Sequence, residues 1–187
     1  MSKLDWGWLL GRLSEVQAMD PDAASEVLER GVSAIDERLG VEVTDVSGTR
    51  QVVVTAGGDA EAFDAAHRVV AAAPSIPGWE FVALRPAKGF DFEVTAGELV
   101  FDAKELSFQA LSSDEAPTQL AIRLLVPNPW LEEWAELGLR ILEDGLGEEA
   151  AALIGYIEID KREPDSEKVF ALESLPGWIQ RHTGPAH

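Results

Sequence analysis

Between Val41 and Arg85 the spacing of apolar residues changes period twice, and this limits the folds open to the chain. "VEVTDV" and "TRQVVVTA" alternate with a period of two, as half-buried strands do, and Ser47-Gly48 between them suits a tight hairpin turn. Gly57-Gly58-Asp59 then opens a segment where Phe63, Ala66 and Val70 recur at helical spacing, with Asp64 and Arg68 a charge pair four residues apart. Pro74 cannot continue that helix, Pro77-Gly78 turns the chain, and "WEFVALR" resumes a strand pattern at Trp79. The segment reads as strand, strand, helix, strand, a unit that crosses over right-handed where its last two strands are parallel.

Two helices precede this unit. Trp6, Leu9, Leu10, Leu13 and Val16 share a face of the first. In the second, Asp20 caps, Pro21 takes the first helical position, Ala24, Val27, Leu28, Gly31 and Ile35 form the stripe, and Gly40 is the expected stop. Beyond the unit, alternation around Phe90, Phe92 and Val94, then Leu99 and Phe101, Leu106 and Phe108, and Leu120 to Val126 predicts a meander with turns at Ala96-Gly97 and across 112–118. "VPNPWLEEWAELGLRILEDG" reads as a helix capped by Asn128, with Pro129 in its first turn, Trp130, Trp134, Leu137 and Ile141 on one face, and Gly145 at its end. "IGYIEID" is a strand, and a short extended segment and a terminal helical turn follow before a frayed tail at 182–187.

The order predicts an α+β fold: a mixed, largely antiparallel sheet with two embedded strand-helix-strand units, behind an N-terminal helical pair at 1–40. An α/β sandwich with helices on both faces is the alternative. A length of 187 residues, 46% of them hydrophobic, is enough for a single domain spanning 1–187. The pentapeptides "SIPGW" at Ser75 to Trp79 and "SLPGW" at Ser174 to Trp178 have unlike flanks. They read as one turn chemistry used twice, with Ser174 a candidate cap, rather than as a duplicated domain.

Charge narrows the partners. The chain carries 34 Asp and Glu against 15 Lys and Arg, a formal net charge of -19. Such a surface repels a phosphate backbone and offers no basic run, which argues against nucleic acid and fits a basic protein partner. Cysteine is absent, so no thiolate metal site or cysteine nucleophile exists, and the cytoplasm is the simplest compartment. "MSKLDWGWLLGRLSEVQ" is interrupted by Asp5 and Arg12 and lacks a small-residue cleavage site, so neither a membrane span nor a signal peptide is expected there.

Candidate chemistry is sparse. His182 and His187 fall in the tail, leaving His67, one turn after Phe63, as a candidate base. Asp91 and Glu93 alternate with Phe90 and Phe92, which puts both acids on one strand face about 7 Å apart, and Glu158 with Asp160 repeats the spacing. Two such strands side by side could hold Mg²⁺ or Ca²⁺, or form an acid/base pair; a solvated strand face shows the same alternation. Ser47 lacks the flanking glycines of a nucleophile elbow, and "GLGEEA" at 145–150 follows a helix where a dinucleotide fingerprint must follow a strand. No cofactor is predicted. Of six tryptophans, Trp8 lies off its helical stripe and is the candidate surface contact.

"VVVTAGGDAEAFDAAHRVVAAAPSIPGWEFVALRPA", with "LIGYIEID" and "LESLPGWI", resembles a family of uncharacterised bacterial α+β proteins that share an AP-x-I-x-GW strand-entry motif. The resemblance covers most of the chain after Val41 and implies no activity, cofactor or catalytic residue. The expectation is therefore a non-enzymatic acidic binding or regulatory protein of the bacterial cytoplasm that acts on a protein partner. A carboxylate-dependent or metal-assisted hydrolase built on His67, Asp91, Glu93, Glu158 and Asp160 is the alternative, and a homo-oligomer through an exposed edge strand or the Trp8 face is a third.

Overall fold

A computed structural model describes residues 6–96, 99–111, 119–126, 134–161 and 168–183. The α+β expectation holds: among the described residues helices accompany two mixed sheets and a two-stranded antiparallel one. The chain divides into two compact units, residues 1–86 and 87–187, so what was read as a single domain contains two separate hydrophobic cores.

In the first unit, α1 (Gly7–Leu10) and α2 (Leu13–Gln17) replace the single first helix, because the chain bends at Gly11 and Arg12. The break buries Trp6, Leu9 and Val16 but leaves Leu10 55% exposed, a departure from the predicted stripe. α3 (Pro21–Ser33) starts as predicted, with the Ala23 amide donating to Asp20 Oδ1 at 2.9 Å and Pro21 in the first turn. It stops before Gly40, which instead opens strand β1 (Gly40–Val46). β1 pairs antiparallel with β2 (Thr49–Thr55) across Ser47-Gly48, whose φ of 52° and 84° are the left-handed pair that a type I′ turn requires. Asp59 caps a short 3₁₀ turn, its Oδ1 accepting from the Glu61 amide, and α4 (Phe63–Ala71) follows. The buried side of this segment is Ala62, Ala65, Ala66 and Val69; Phe63 and Val70 pack against the core from its edge. The chain re-enters the sheet as β3 (Trp79–Ala83), parallel to β2, giving the order β1-β2-β3.

The second unit repeats that logic. β4 (Glu93–Ala96) and β5 (Leu99–Asp102) form a separate hairpin. β6 (Ser107–Leu111) and β7 (Leu120–Val126) pair antiparallel, and α5 (Trp134–Leu146) with α6 (Glu148–Ala151) carries the chain to β8 (Ile154–Lys161), parallel to β7. β9 (Val169–Ala171) adds to the other side of β6, and α7 (Leu175–Thr183) closes the unit. Both expected strand-helix-strand units are thus present, one in each half. Phe108, Ile122, Leu124, Trp134, Leu142 and Trp178 are among the side chains of this core.

Gly145 was expected to end α5 but lies within it. A Cβ there would fall 2.0 Å from Phe90 Cε1, so the glycine makes room for a buried ring. The helix ends one residue later, and Gly147, at φ 80°, redirects the chain into α6. His182, assigned to the tail, is part of α7: its Nδ1 lies 2.7 Å from the Trp178 carbonyl and its ring 4.6 Å from the indole. The Gly97 turn, the 112–118 loop, Asn128, Pro129, Trp130 and His187 lie outside the described residues. No helix among the described residues is long and apolar enough to cross a membrane.

Candidate functional site

The structure does not assemble the predicted carboxylates. Asp91 precedes β4 and is 84% exposed, and Lys104 Nζ donates to its Oδ1 at 2.8 Å. That hydrogen bond, with the ammonium's charge, holds the Asp91 carboxyl below its usual pKa, and the same hydrogen bond, with the charges of Asp102 and Asp91, raises that of Lys104. Glu93 stands opposite Asp102 in the β4-β5 hairpin. Glu158 and Asp160 lie on β8, in a different sheet, with Arg123 of β7 between them: its Nη2 donates to Glu158 at 3.1 Å and its Nε lies 3.8 Å from Asp160. The side-by-side strands that a shared metal or acid/base site needs are therefore not formed by these pairs. Among the described residues no group of three or more His, Asp or Glu side chains converges as a metal site. His67 is exposed on α4 in the first unit, whereas all four carboxylates belong to the second.

Trp8, the expected surface contact, is half-buried. Its ring occupies the space where Gly31 of α3 has no side chain, so close that a Cβ there would lie 1.9 Å from Trp8 Cζ2, and it stacks on Trp6 at 5.9 Å. Trp6 in turn donates from Nε1 to the Val69 carbonyl at 3.0 Å, fastening the N-terminal helices to the end of α4.

What sequence reasoning missed is a cleft of about 270 Å³ between β4 and α5. The segment leading into β4 is tied to the helix's last turn: the Lys88 and Gly89 amides donate to the Asp144 and Gly145 carbonyls at 2.9 and 3.1 Å. The cleft's apolar lining is Phe92, Val94, Leu137 and Ile141. Glu93 and Thr95 form the strand rim, and Arg140 and Asp144 the helix rim. Lys88 Nζ pairs with Asp144 at 2.8 Å, while Arg140 and Glu93 make no ion pair among the described residues. One signal was available in the sequence: Leu137, Arg140 and Ile141 at i, i+3 and i+4 put a cation on the border of an apolar stripe. A second depression, lined by Glu26, Glu29, Arg30 and Ser33, is the outer surface of α3 and has no apolar floor.

No family model, curated protein or solved structure matches the chain.

Proposed function

We propose that the chain is a non-enzymatic binding or regulatory protein of the bacterial cytoplasm that acts on a basic protein partner. The observation that carries this reading is charge: pairing every Lys and Arg would still leave nineteen carboxylates without a cation. The ion pairs of the first unit illustrate it, with Arg12, Arg38, Arg50 and Arg85 each already holding a carboxylate. A field of one sign speeds encounter with an oppositely charged partner and weakens as salt is added. The resemblance to a bacterial α+β family fits this reading and adds no activity to it.

The test is a pull-down from native lysate at low salt, beside an unrelated acidic protein of similar charge. The reading expects at least one basic protein held by this chain and not by the control, and released on raising the salt. Recovery of only what the control also holds overturns it. Light scattering at low salt decides the competing assembly: a monomer mass removes the homo-oligomer.

A further inference from the structure

The geometry points to the cleft between β4 and α5 as a docking groove for a short extended peptide, which adds as a strand to the edge of β4 that faces away from β5 and pairs with no other strand among the described residues. The inference deepens the partner-binding reading above by naming where a partner's chain would lie.

The hairpin register sets out the edge. The Ala103 amide donates to the Phe92 carbonyl at 2.9 Å, and the register pairs Val94 with Phe101. In an antiparallel ladder, alternate residues turn both backbone groups toward the partner strand. Phe92 and Val94 therefore face β5 with their N–H and C=O groups, and Glu93 and Thr95, which both line the cleft, turn theirs away from β5. An extended peptide satisfies such a row with main-chain hydrogen bonds, and alternate side chains then enter the floor.

Size and charge choose the occupant. A cleft of about 270 Å³ lies below the usual range for a drug-sized ligand or cofactor, whereas a peptide strand needs it only for alternate side chains. The floor takes apolar side chains at alternate positions against Phe92 and Leu137, the two that are only half-buried. The rims supply one charge of each sign that makes no ion pair among the described residues, Glu93 on the strand and Arg140 on the helix, while Lys88 already pairs with Asp144. The fitting peptide is extended, alternates apolar residues, and carries a cationic side chain for Glu93 and a carboxylate for Arg140. Two opposite charges on opposite rims fix its direction as well as its register.

The test pans a phage-displayed library of random linear dodecapeptides on the full chain and measures the enriched peptides by fluorescence anisotropy. Thr95→Pro removes an outward N–H without breaking a ladder bond, as an edge strand tolerates, and Thr95→Val keeps that N–H. Expected are enriched sequences with the alternating pattern, binding at least tenfold weaker to Thr95→Pro and unchanged to Thr95→Val. Panning on Arg140→Glu should replace the selected carboxylate with a cation. Hydrogen exchange keeps the inference falsifiable should Thr95→Pro fold poorly: bound peptide should slow the Glu93 and Thr95 amides of the unaltered chain. No enriched pattern, equal binding to all variants, or unchanged exchange at these amides overturns it. A lysate partner retained equally by a folded Thr95→Pro sinks the groove and leaves the acidic-surface reading intact. Peptide binding with no lysate partner does the reverse.

Discussion

The two units build the same hairpin-plus-crossover arrangement and complete it with different elements, the first from the N-terminal side and the second from both sides in sequence. β1-β2-α4-β3 and β6-β7-α5-β8 each run an antiparallel pair into a helix and a parallel third strand. Three strands and one helix leave much of a sheet face uncovered. In the first unit, helices that come earlier in the chain supply cover, with α3 carrying Ala24, Val27, Leu28 and Val32 into the core. In the second, the added elements are the β4-β5 hairpin, β9 and α7, which contributes Leu175, Trp178 and Ile179. A shared unit thus fixes the local path of the chain, and the flanking sequence decides how the core is closed.

The sharpest test of that difference compares the arginines of the two central strands. Arg50 of β2 is almost fully used: it pairs with Asp45 at 2.9 Å and donates to the Val16 and Met19 carbonyls at 2.8 and 2.9 Å, tying the strand to the end of α2. Its guanidinium also lies 5.7 Å from the centre of the Trp79 ring. Arg123 of β7 holds Glu158 at 3.1 Å and is otherwise loosely met, with Gln109 at 3.4 Å and a buried Nε that has no hydrogen-bond partner. Arg50→Met should cost about 2 to 3 kcal/mol in urea unfolding, because hydrogen bonds to a charged donor are lost and two carbonyls are left without it. Arg123→Met should cost about 1 kcal/mol or less, the range of a partly exposed pair. Equal losses would mean that the flanking helices contribute no more to the first unit than solvent contributes to the second.

Helix glycines give the next largest contrast. Gly145 receives Phe90, which is 4% exposed, whereas Gly31 receives Trp8, which is half-buried. Gly145→Ala should destabilise by about 1 to 3 kcal/mol, since the enclosed ring has no place to go. Gly31→Ala should lose less, because Trp8 can swing toward water and the helix gains up to about 1 kcal/mol from alanine. Its tryptophan emission should shift to the red as the ring becomes exposed. Thermal unfolding of both variants ranks them, and a larger loss at Gly31 would overturn the ordering.

These same glycines show where sequence reasoning stops. The hairpin at Ser47-Gly48, the Asp20 cap and both strand-helix-strand units were legible, because turn chemistry, capping and apolar period are local properties. Gly145 was misread as a helix stop because a glycine in a helical pattern has two meanings, a left-handed terminus or room for a neighbour, and the neighbour is distant in sequence; Gly40 was misread because α3 ends at Ser33, before the glycine, which opens β1. Phe90 stands fifty-five positions before Gly145. Carboxylate alternation was read correctly as a strand pattern at Glu158 and Asp160, but only tertiary pairing showed that Arg123, not a second acidic strand, lies beside them. The cleft was illegible for the same reason: β4 and α5 meet across some forty residues of intervening chain.

The repeated pentapeptide turns this into a prediction of sign. In "SIPGW" Gly78 sits at φ 77° in the turn that launches β3, with nothing within 4 Å of a Cβ. In "SLPGW" the same dipeptide lies inside the first turn of α7, and Ser174 Oγ donates to the Ala171 carbonyl at 2.7 Å rather than capping the helix. Gly78→Ala should cost about 1 to 2 kcal/mol, the penalty of a left-handed alanine. Gly177→Ala should instead stabilise, by up to about 1 kcal/mol, since a Cβ there meets only Arg181 Nη1 at 3.4 Å. Paired urea curves check it, and like signs would mean the two copies share a backbone conformation after all.

The smallest expected effect separates the units by acid sensitivity. In the α3-β1 connection, Asp36 accepts from Arg38 Nη2 at 2.8 Å and from the Arg38 amide at 3.1 Å. These hydrogen bonds, the side-chain one first, hold its pKa down at about 2 from an ordinary 3.8. The group binds its proton less readily folded than unfolded, so its contribution is complete above pH 3.8 and is lost as the pH falls toward 2. Asp91 in the second unit is lowered in the same direction by Lys104, but it is 84% exposed and bound only through side chains. Asp36→Asn should therefore lower stability above pH 4 and converge with the unaltered chain as the pH falls toward 2, flattening the acid limb more than Asp91→Asn does. Following the two carboxyl resonances by NMR tests the cause directly: Asp36 should titrate near 2, and a midpoint at the ordinary value would remove the backbone amide as the source of the difference.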